Sequence, residues 1–326
     1  MSTANKSSSK SVLFSMARTG SKLFIGAAFG LGLVSGVAAE PKKVNIGYSP
    51  ILDSVTVFIA KDKGLFAKHN IDANLTLVTL NSNIPAAIMS KSLDLGSVSS
   101  TVLIQAVDGG LDLKVVQGAT MLPNKNALMA YVTRSDVPFA GVKSLEGKKI
   151  SMPGLGASVD ILFQKWVSDQ GGDPKKVNYI ELSSSQATDA LRAKSVEGSV
   201  IVEPFLTRAS QSGIGKIVYR LTDGLPGPTL AISYIAERGW IEKNKETLAN
   251  VKAALAEAIE WAKANPAEAR ALLTAYLKLP KEIVDVLPLP LYEEKVTPKD
   301  LAFWVDAMKA QGRLSTTIDP AKLIAR

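Results

Sequence analysis

Short strands that alternate with helices, first over residues 44–118 and again over 149–219, constrain this chain more than any other feature of its sequence. Such alternation predicts parallel sheets joined by right-handed helical crossovers. Residues 72–79, for example, read DANLTLVT and place every second apolar side chain on one face, which is typical of a strand. The sequence therefore predicts an α/β protein built from two similar units.

Two extended segments, residues 127–133 and 229–235, separate these units. From Trp240 onward the pattern is helical, with apolar residues at spacings of three and four at Leu248, Val251, Leu255 and Ile259. The C-terminal helices are therefore expected to return to the first unit. We predict one lobe over 42–133 plus 231–326 and a second lobe over 134–230.

The carboxyl ends of strands in two facing α/β units would surround one cleft. Ligands of open α/β sheets bind beyond those ends, and hinge closure between two lobes can trap a solute. The predicted fold class is therefore a two-lobe α/β clamp with two crossover segments.

The first 39 residues are expected to be a signal peptide. Residues 23–34 read LFIGAAFGLGLV, an uncharged apolar run that basic residues precede, and small residues occupy 37–39. The run is shorter than the roughly 20 apolar residues of a membrane span, so a retained N-terminal anchor is the weaker alternative. We predict export to the periplasm and cleavage after Ala39, with Met16 as an alternative start.

Charge and cysteine content exclude several classes of protein. The chain has no cysteine, which predicts no lipid tether, no disulfide and no thiol nucleophile. Four basic residues and no acidic ones lie within residues 1–39, so the formal charge of +8 falls to +4 after cleavage. The remaining charges of both signs are interspersed, as on a solvated surface, and nucleic acid is not an expected partner.

Polar residues follow two strands of the first unit. Ser49 ends the first strand shortly before Asp53, and Ser99, Ser100 and Thr101 join a strand to a helix. Hydroxyls and free amide groups at such a junction suit an anion or a polar head group. Plain helix capping is the alternative for Asp53 and for the hydroxyl cluster.

The loop PGLGAS at residues 153–158 is the strongest candidate in the second unit. Glycine lets the backbone approach a ligand closely, and the first amides of the helix at Ser158 have no intrahelical partners. We expect Gly156, Ala157 and Ser158 to contact the ligand. No Gly-Lys-Ser/Thr follows, so the loop is not a phosphate-binding P-loop, and a tight turn without ligand is the alternative.

Glu203 precedes Pro204 at the end of a strand. Its carboxylate can accept hydrogen bonds from a ligand N–H, or it can cap its own helix with Pro204 in the first turn. Catalytic patterns are missing from the sequence: His69 is the only histidine and is expected at the surface, and neither H-E-x-x-H nor G-x-S-x-G occurs. We therefore predict no enzymatic activity and no metal site.

Four motifs, in this order and spacing, resemble a known family. They are IGYSP followed by FIAKDKGLFAKHNID, then AAIMSKSLDLGSVSST, PGLGAS and VEPF. The chain resembles the periplasmic binding proteins for nitrate, aliphatic sulfonates, taurine and thiamine-type pyrimidines.

This resemblance implies a monomeric receptor of type II fold, without cofactor, that captures a small organic solute and delivers it to the permease of an ABC importer. A periplasmic ligand sensor is the alternative, followed by a pyrimidine-synthesising enzyme of the same fold. The cleft is expected to be lined by Ser49, Asp53, Asn81, Ser99, Ser100, Thr101, Gly156, Ala157, Ser158, Gln186 and Glu203.

Overall fold

Two separate sheets organise the computed structural model, in which the structure describes residues 40–124 and 128–325. The predicted signal peptide lies outside the described residues. In chain order the strands are β1 (Lys42–Tyr48), β2 (Ile71–Leu77), β3 (Leu95–Ser99), β4 (Leu113–Leu122), β5 (Met129–Arg134), β6 (Lys149–Met152), β7 (Asn178–Glu181), β8 (Gly198–Val202), β9 (Gly215–Arg220), β10 (Thr229–Glu237) and β11 (Leu291–Tyr292).

Twelve α-helices occupy the described ranges. They are α1 (Val55–Asp62), α2 (Leu65–Lys68), α3 (Ile84–Met89), α4 (Ser100–Asp108), α5 (Ser158–Asp169), α6 (Ser184–Arg192), α7 (Phe205–Gln211), α8 (Arg238–Lys243), α9 (Lys245–Ala264), α10 (Pro266–Leu277), α11 (Lys281–Val284) and α12 (Pro298–Ala310). None of these described helices combines the length and the apolar character that crossing a membrane requires.

The six-stranded sheet has the order β11-β4-β10-β3-β1-β2, and the five-stranded sheet has the order β7-β6-β8-β5-β9. In each sheet four strands run in the same direction, and three of them are adjacent parallel partners, as the alternation predicts. One strand of the predicted crossings, β10 in the first sheet and β5 in the second, runs antiparallel between its neighbours. We call the six-stranded sheet with α1–α4 and α8–α12 the first lobe, and the five-stranded sheet with α5–α7 the second lobe. The predicted two-lobe α/β fold is confirmed by this topology.

The change of sheet does not fall where the sequence predicts it. β5 pairs with β8 and β9, so the chain enters the second sheet by Met129 rather than at the boundary predicted between 133 and 134. On the return, β10 already pairs with β4 at Thr229, ahead of the boundary predicted between 230 and 231. The two-residue strand β11 has no counterpart in the predicted elements, because two residues are too few to show an alternation of apolar and polar side chains.

The C-terminal helices pack on the first lobe. Leu248, Val251 and Leu255 of α9 are buried, and α9 contacts α1 and α2. On α12 the indole of Trp304 is fully buried and donates from Nε1 to the carbonyl of Leu230 on β10, at 2.7 Å. The helical spacing of the sequence therefore marks a face that covers the six-stranded sheet.

Among the residues that the structure describes, four hydrogen bonds or ion pairs connect the two lobes. Arg313 of the first lobe lies 3.0 Å from the carboxylate of Asp160 on α5, and we call this contact the Asp160–Arg313 ion pair. Beside it, Gln311 Nε2 donates to the carbonyl of Ile161 at 2.8 Å. Two more hydrogen bonds join the lobes elsewhere. Ser82 Oγ donates to the Glu181 carboxylate at 2.9 Å, and the Leu52 N–H donates to the carbonyl of Glu203 at 3.2 Å.

Candidate ligand-binding cleft

A cleft opens between the carboxyl ends of strands from both sheets. The empty space between its walls, including the open mouth, is about 690 Å³. Its polar lining residues are Ser49, Asp53, Thr79, Asn81, Ser99, Ser158 and Ser184, and its apolar ones are Pro50, Ile51, Leu122, Leu128, Met129, Pro153, Ala157, Val159, Val202, Ala231 and Ile232. A mostly apolar wall with a few convergent polar groups is the usual character of a small-molecule site.

Asn81 joins the strand ends on the first-lobe side of the cleft. Its Nδ2 donates to Ser49 Oγ at 3.2 Å and to the Ser97 carbonyl at 3.0 Å, and its Oδ1 accepts from the Ser99 N–H at 2.9 Å. Every polar atom of this buried amide is therefore used inside the protein. Asn81 lines the cleft and at the same time holds β1 and β3 in position.

Asp53 is a half-buried carboxylate at the cleft, in the turn before α1. Thr120 on β4 donates its hydroxyl to Asp53 Oδ1 at 2.5 Å. Loss of hydration raises the pKa of Asp53, and the hydrogen bond from Thr120 opposes that effect without cancelling it. No ion pair to Asp53 occurs among the described residues.

The start of α5 forms the opposite wall. No side chain of the described residues caps this helix, whose N-cap residue is Ala157, so the amides of Ser158 and Val159 have no capping or intrahelical partner there. Ser158 is 5% exposed, and its hydroxyl has no hydrogen-bond partner within residues 40–124 and 128–325. A buried hydroxyl without a partner is costly unless something else bonds to it. Free amides and this hydroxyl together can bind an acceptor atom of a ligand.

Gly156 determines the shape of the same loop but does not line the cleft. Its φ is +85°, a left-handed value that favours glycine, and its N–H donates to Asp160 Oδ2 at 2.8 Å. Asp160 also accepts from Gln164 and pairs with Arg313. The carboxylate therefore anchors the loop to α5 and to the first lobe, and burial raises its pKa.

Four other predicted residues make contacts inside the protein and do not line the cleft. Ser100 Oγ donates to the Leu230 carbonyl at 3.1 Å, and the Thr101 hydroxyl lies 3.2 Å from that of Ser99. Gln186 accepts from Ser183 in a capping box at the start of α6. Glu203 accepts from the backbone and hydroxyl of Thr207 at 3.1 and 2.9 Å, which is the capping alternative, and burial raises its pKa.

Sequence reasoning missed most of the apolar wall. Leu122, Met129 and Ile232 belong to β4, β5 and β10, the strands next to the points where the chain changes sheet, and Ser184 starts α6. The two predicted crossings were the available signal, because segments that connect two lobes pass the base of the cleft between them. Thr79, which is exposed after β2, gave no comparable signal.

His69 lies away from the cleft, and its environment differs from the prediction. It is half-buried rather than at the surface, and its Nε2 lies 2.7 Å from Glu257 Oε1 on α9. The ring therefore joins the turn after α2 to the C-terminal helices, which is a long-range contact that the sequence does not reveal. Across 40–124 and 128–325, three or more His, Cys, Asp or Glu side chains come together nowhere in a metal-binding arrangement.

The family of the chain follows from comparison with known proteins. Residues 37–277 match the NMT1-like family, so the chain belongs to it. A putative binding protein of Brucella abortus (strain 2308) is 25% identical over 266 residues, covering 80% of each chain. A putative aliphatic sulfonates-binding protein of Escherichia coli (strain K12) is 25% identical over 252 residues, covering 76% of each chain. The resemblance predicted from the four motifs is confirmed.

Solved structures share the fold. The alkanesulfonate-binding protein SsuA from Xanthomonas axonopodis pv. citri, bound to MOPS, superposes with a TM-score of 0.75 at 21% identity, covering 89% of this chain and all of that one. The periplasmic nitrate-binding protein NrtA from Synechocystis PCC 6803 has a TM-score of 0.74 at 15% identity, covering 86% and 84%. Both are binding proteins of the two-lobe class.

Proposed function

We propose that this chain is the solute-binding receptor of an ABC importer, which captures a small organic solute in the cleft and delivers it to the membrane permease without chemical change. The cleft carries this proposal, because residues of both lobes line it and its polar groups include an uncapped helix start with an unpartnered hydroxyl. Closure around a ligand would create the surface that a permease distinguishes from the empty form.

Family membership and the named relatives support the same proposal. The relatives bind aliphatic sulfonates, an alkanesulfonate buffer molecule or nitrate, according to their names. These named solutes differ from one relative to the next, and the cleft of this chain lies at the strand ends between its own two sheets. We therefore carry over the class of receptor and not the identity of the solute.

The proposal includes export to the periplasm as a monomer, with cleavage between Ala39 and Glu40. The apolar run and the small residues before Glu40 support it, and two of the related structures are named periplasmic binding proteins. Mass spectrometry of the protein isolated from the periplasm should give a chain that begins at Glu40. Recovery of the uncleaved chain in the membrane fraction would contradict export by cleavage.

A thermal-shift screen tests the receptor function. The panel contains nitrate, sulfonates, aromatic carboxylates, amines and aminopyrimidines, with recovery of each unchanged solute after incubation as the check for turnover. A solute at 100 times its dissociation constant should raise the free energy of unfolding by about 2.7 kcal/mol. Uptake of the best solute by cells with and without the chain then separates import from sensing. Consumption of the solute by the purified protein would contradict a receptor.

A further inference from the structure

We propose that Asp53 binds a donor nitrogen of the solute, so that the ligand is an organic cation or an N–H-bearing heterocycle rather than a simple anion. This inference rests on the proposed receptor function and specifies the chemistry of the same cleft. It follows from the charge of the cleft, from a comparison of Asp53 with Asp160 and from the opposite wall.

Asp53 and Asp160 are both carboxylates of the interlobe region, and they differ in one respect. Asp160 has the guanidinium of Arg313 at 3.0 Å and accepts from two further donors. Asp53 accepts from the Thr120 hydroxyl and from its own backbone, has no ion pair among the described residues, and lines the cleft. A carboxylate that has lost part of its hydration is stabilised as an anion by a partner charge or by donors, so a donor that arrives from the cleft would stabilise Asp53.

The other lining residues supply no cation. Among the lining residues that the structure describes, Asp53 is the only ionisable side chain, and the rest are apolar groups, hydroxyls and the Asn81 amide. A simple anion would therefore meet a negative group and no positive side chain there. A cationic or N–H donor would restore the hydrogen bonds that Asp53 loses with its hydration, which is the loss that raises its pKa.

The opposite wall accommodates the other end of such a ligand. Ser158 is buried with a free hydroxyl, and the first amides of α5 are uncapped, so this wall can donate to a ring nitrogen or an oxygen of the solute. Between the two polar ends the lining is apolar, with Ile51, Leu122 and Ile232 among its residues. A small molecule with a donor nitrogen, an acceptor atom and an apolar body is complementary to Asp53, to the start of α5 and to the apolar lining between them.

The test uses the full chain and the variant Asp53→Asn, in which the amide oxygen still accepts from Thr120 while the charge is lost. Asp62→Asn removes the same charge from an exposed position at the end of α1 and is the matched control. The probes are the ring-matched set benzamidine, benzamide and benzoate, together with 4-aminopyrimidine, methanesulfonate and nitrate. Affinities are measured by calorimetric titration, and circular dichroism checks that each variant folds.

We expect the donor-nitrogen probes to bind most tightly to the wild-type chain. Asp53→Asn should weaken them by about ten- to hundredfold, since a hydrogen bond to a charged group is lost, and Asp62→Asn should change nothing beyond about twofold. Tightest binding by benzoate, methanesulfonate or nitrate, retained or improved in Asp53→Asn, would overturn the inference and leave the receptor function intact.

Lys125 lies outside the described residues, between Leu122 and Leu128 of the lining in sequence. Lys125→Ala is therefore measured alongside the other variants. If the wild-type chain binds an anion tightly and Lys125→Ala loses that binding, the solute is an anion that Lys125 binds, and the inference is overturned as well. Binding of no probe or panel solute by the wild-type chain would instead contradict the proposed receptor function itself.

Discussion

Replacing Gly156 by valine should abolish ligand binding in a chain that still folds. Gly156 has a φ of +85°, where a β-branched residue is strained, and an added Cβ would overlap the side-chain amide of Gln105. Gln105 belongs to α4 of the first lobe, whereas Gly156 belongs to the second. Because Gln105 is exposed and the end of its side chain can move aside, the main effect of valine is backbone strain at Gly156, which moves the loop that ends at Ser158.

The control for this variant is Gly147→Val. Gly147 lies in the same lobe with a similar φ of +75°, but an added Cβ there would meet nothing within 4 Å. Both substitutions strain the backbone by about 1–3 kcal/mol, so they should lower the free energy of unfolding by similar amounts. Calorimetric titration should find binding lost in Gly156→Val and unchanged in Gly147→Val. Equal affinities for the solute in the two folded variants would show that the loop at Gly156 is not part of the binding site.

Replacing Arg313 by methionine should destabilise the chain by about 2–4 kcal/mol, because it leaves a buried carboxylate without its charge partner. The side chain of Asp160 is 1% exposed, so water cannot replace the guanidinium. Donation from the Gly156 N–H and Gln164 keeps the cost below that of a wholly unpaired charge. Since the pair joins the two lobes, the affinity for the solute should fall as well.

Arg238→Met provides the comparison for an exposed ion pair. Arg238 lies 2.6 Å from Asp112 within the first lobe, and its side chain is 59% exposed. Exposed pairs contribute about 0–1 kcal/mol, so this variant should unfold in urea close to the wild-type midpoint and should bind solute normally. Similar losses of stability in the two variants would mean that burial of Asp160 does not set the strength of the Asp160–Arg313 ion pair.

The regular elements were largely predictable from the sequence, because the spacing of apolar residues and the positions of glycines indicate local structure directly. The strand over 72–79 and the helix face that carries Leu248 and Val251 are examples, and each lies close to its predicted position. The exact change of sheet was not predictable. Residues of β5 are extended and apolar in either lobe, and only their pairing with β8 and β9 assigns them.

The cleft was predictable only in part, because capping and ligand binding use the same residue types at the same places. Ser49, Asp53, Asn81, Ser99, Ala157 and Ser158 line the cleft, whereas Gln186 and Glu203 satisfy helix ends. Nothing in the sequence distinguishes the free hydroxyl of Ser158 from the capping carboxylate of Glu203. The contact of Asp160 with Arg313 likewise depends on tertiary structure that local patterns do not encode.

Closure of the two lobes around one solute is tested most directly by measuring the distance between the lobes. The chain has no cysteine, so Leu77→Cys on the first lobe and Lys175→Cys on the second can be spin-labelled without other changes. Both positions are exposed and lie outside the cleft lining. On addition of saturating solute, the distance distribution from electron paramagnetic resonance should become shorter and narrower, complete at one solute per chain. An unchanged distribution with the solute demonstrably bound would contradict the clamp.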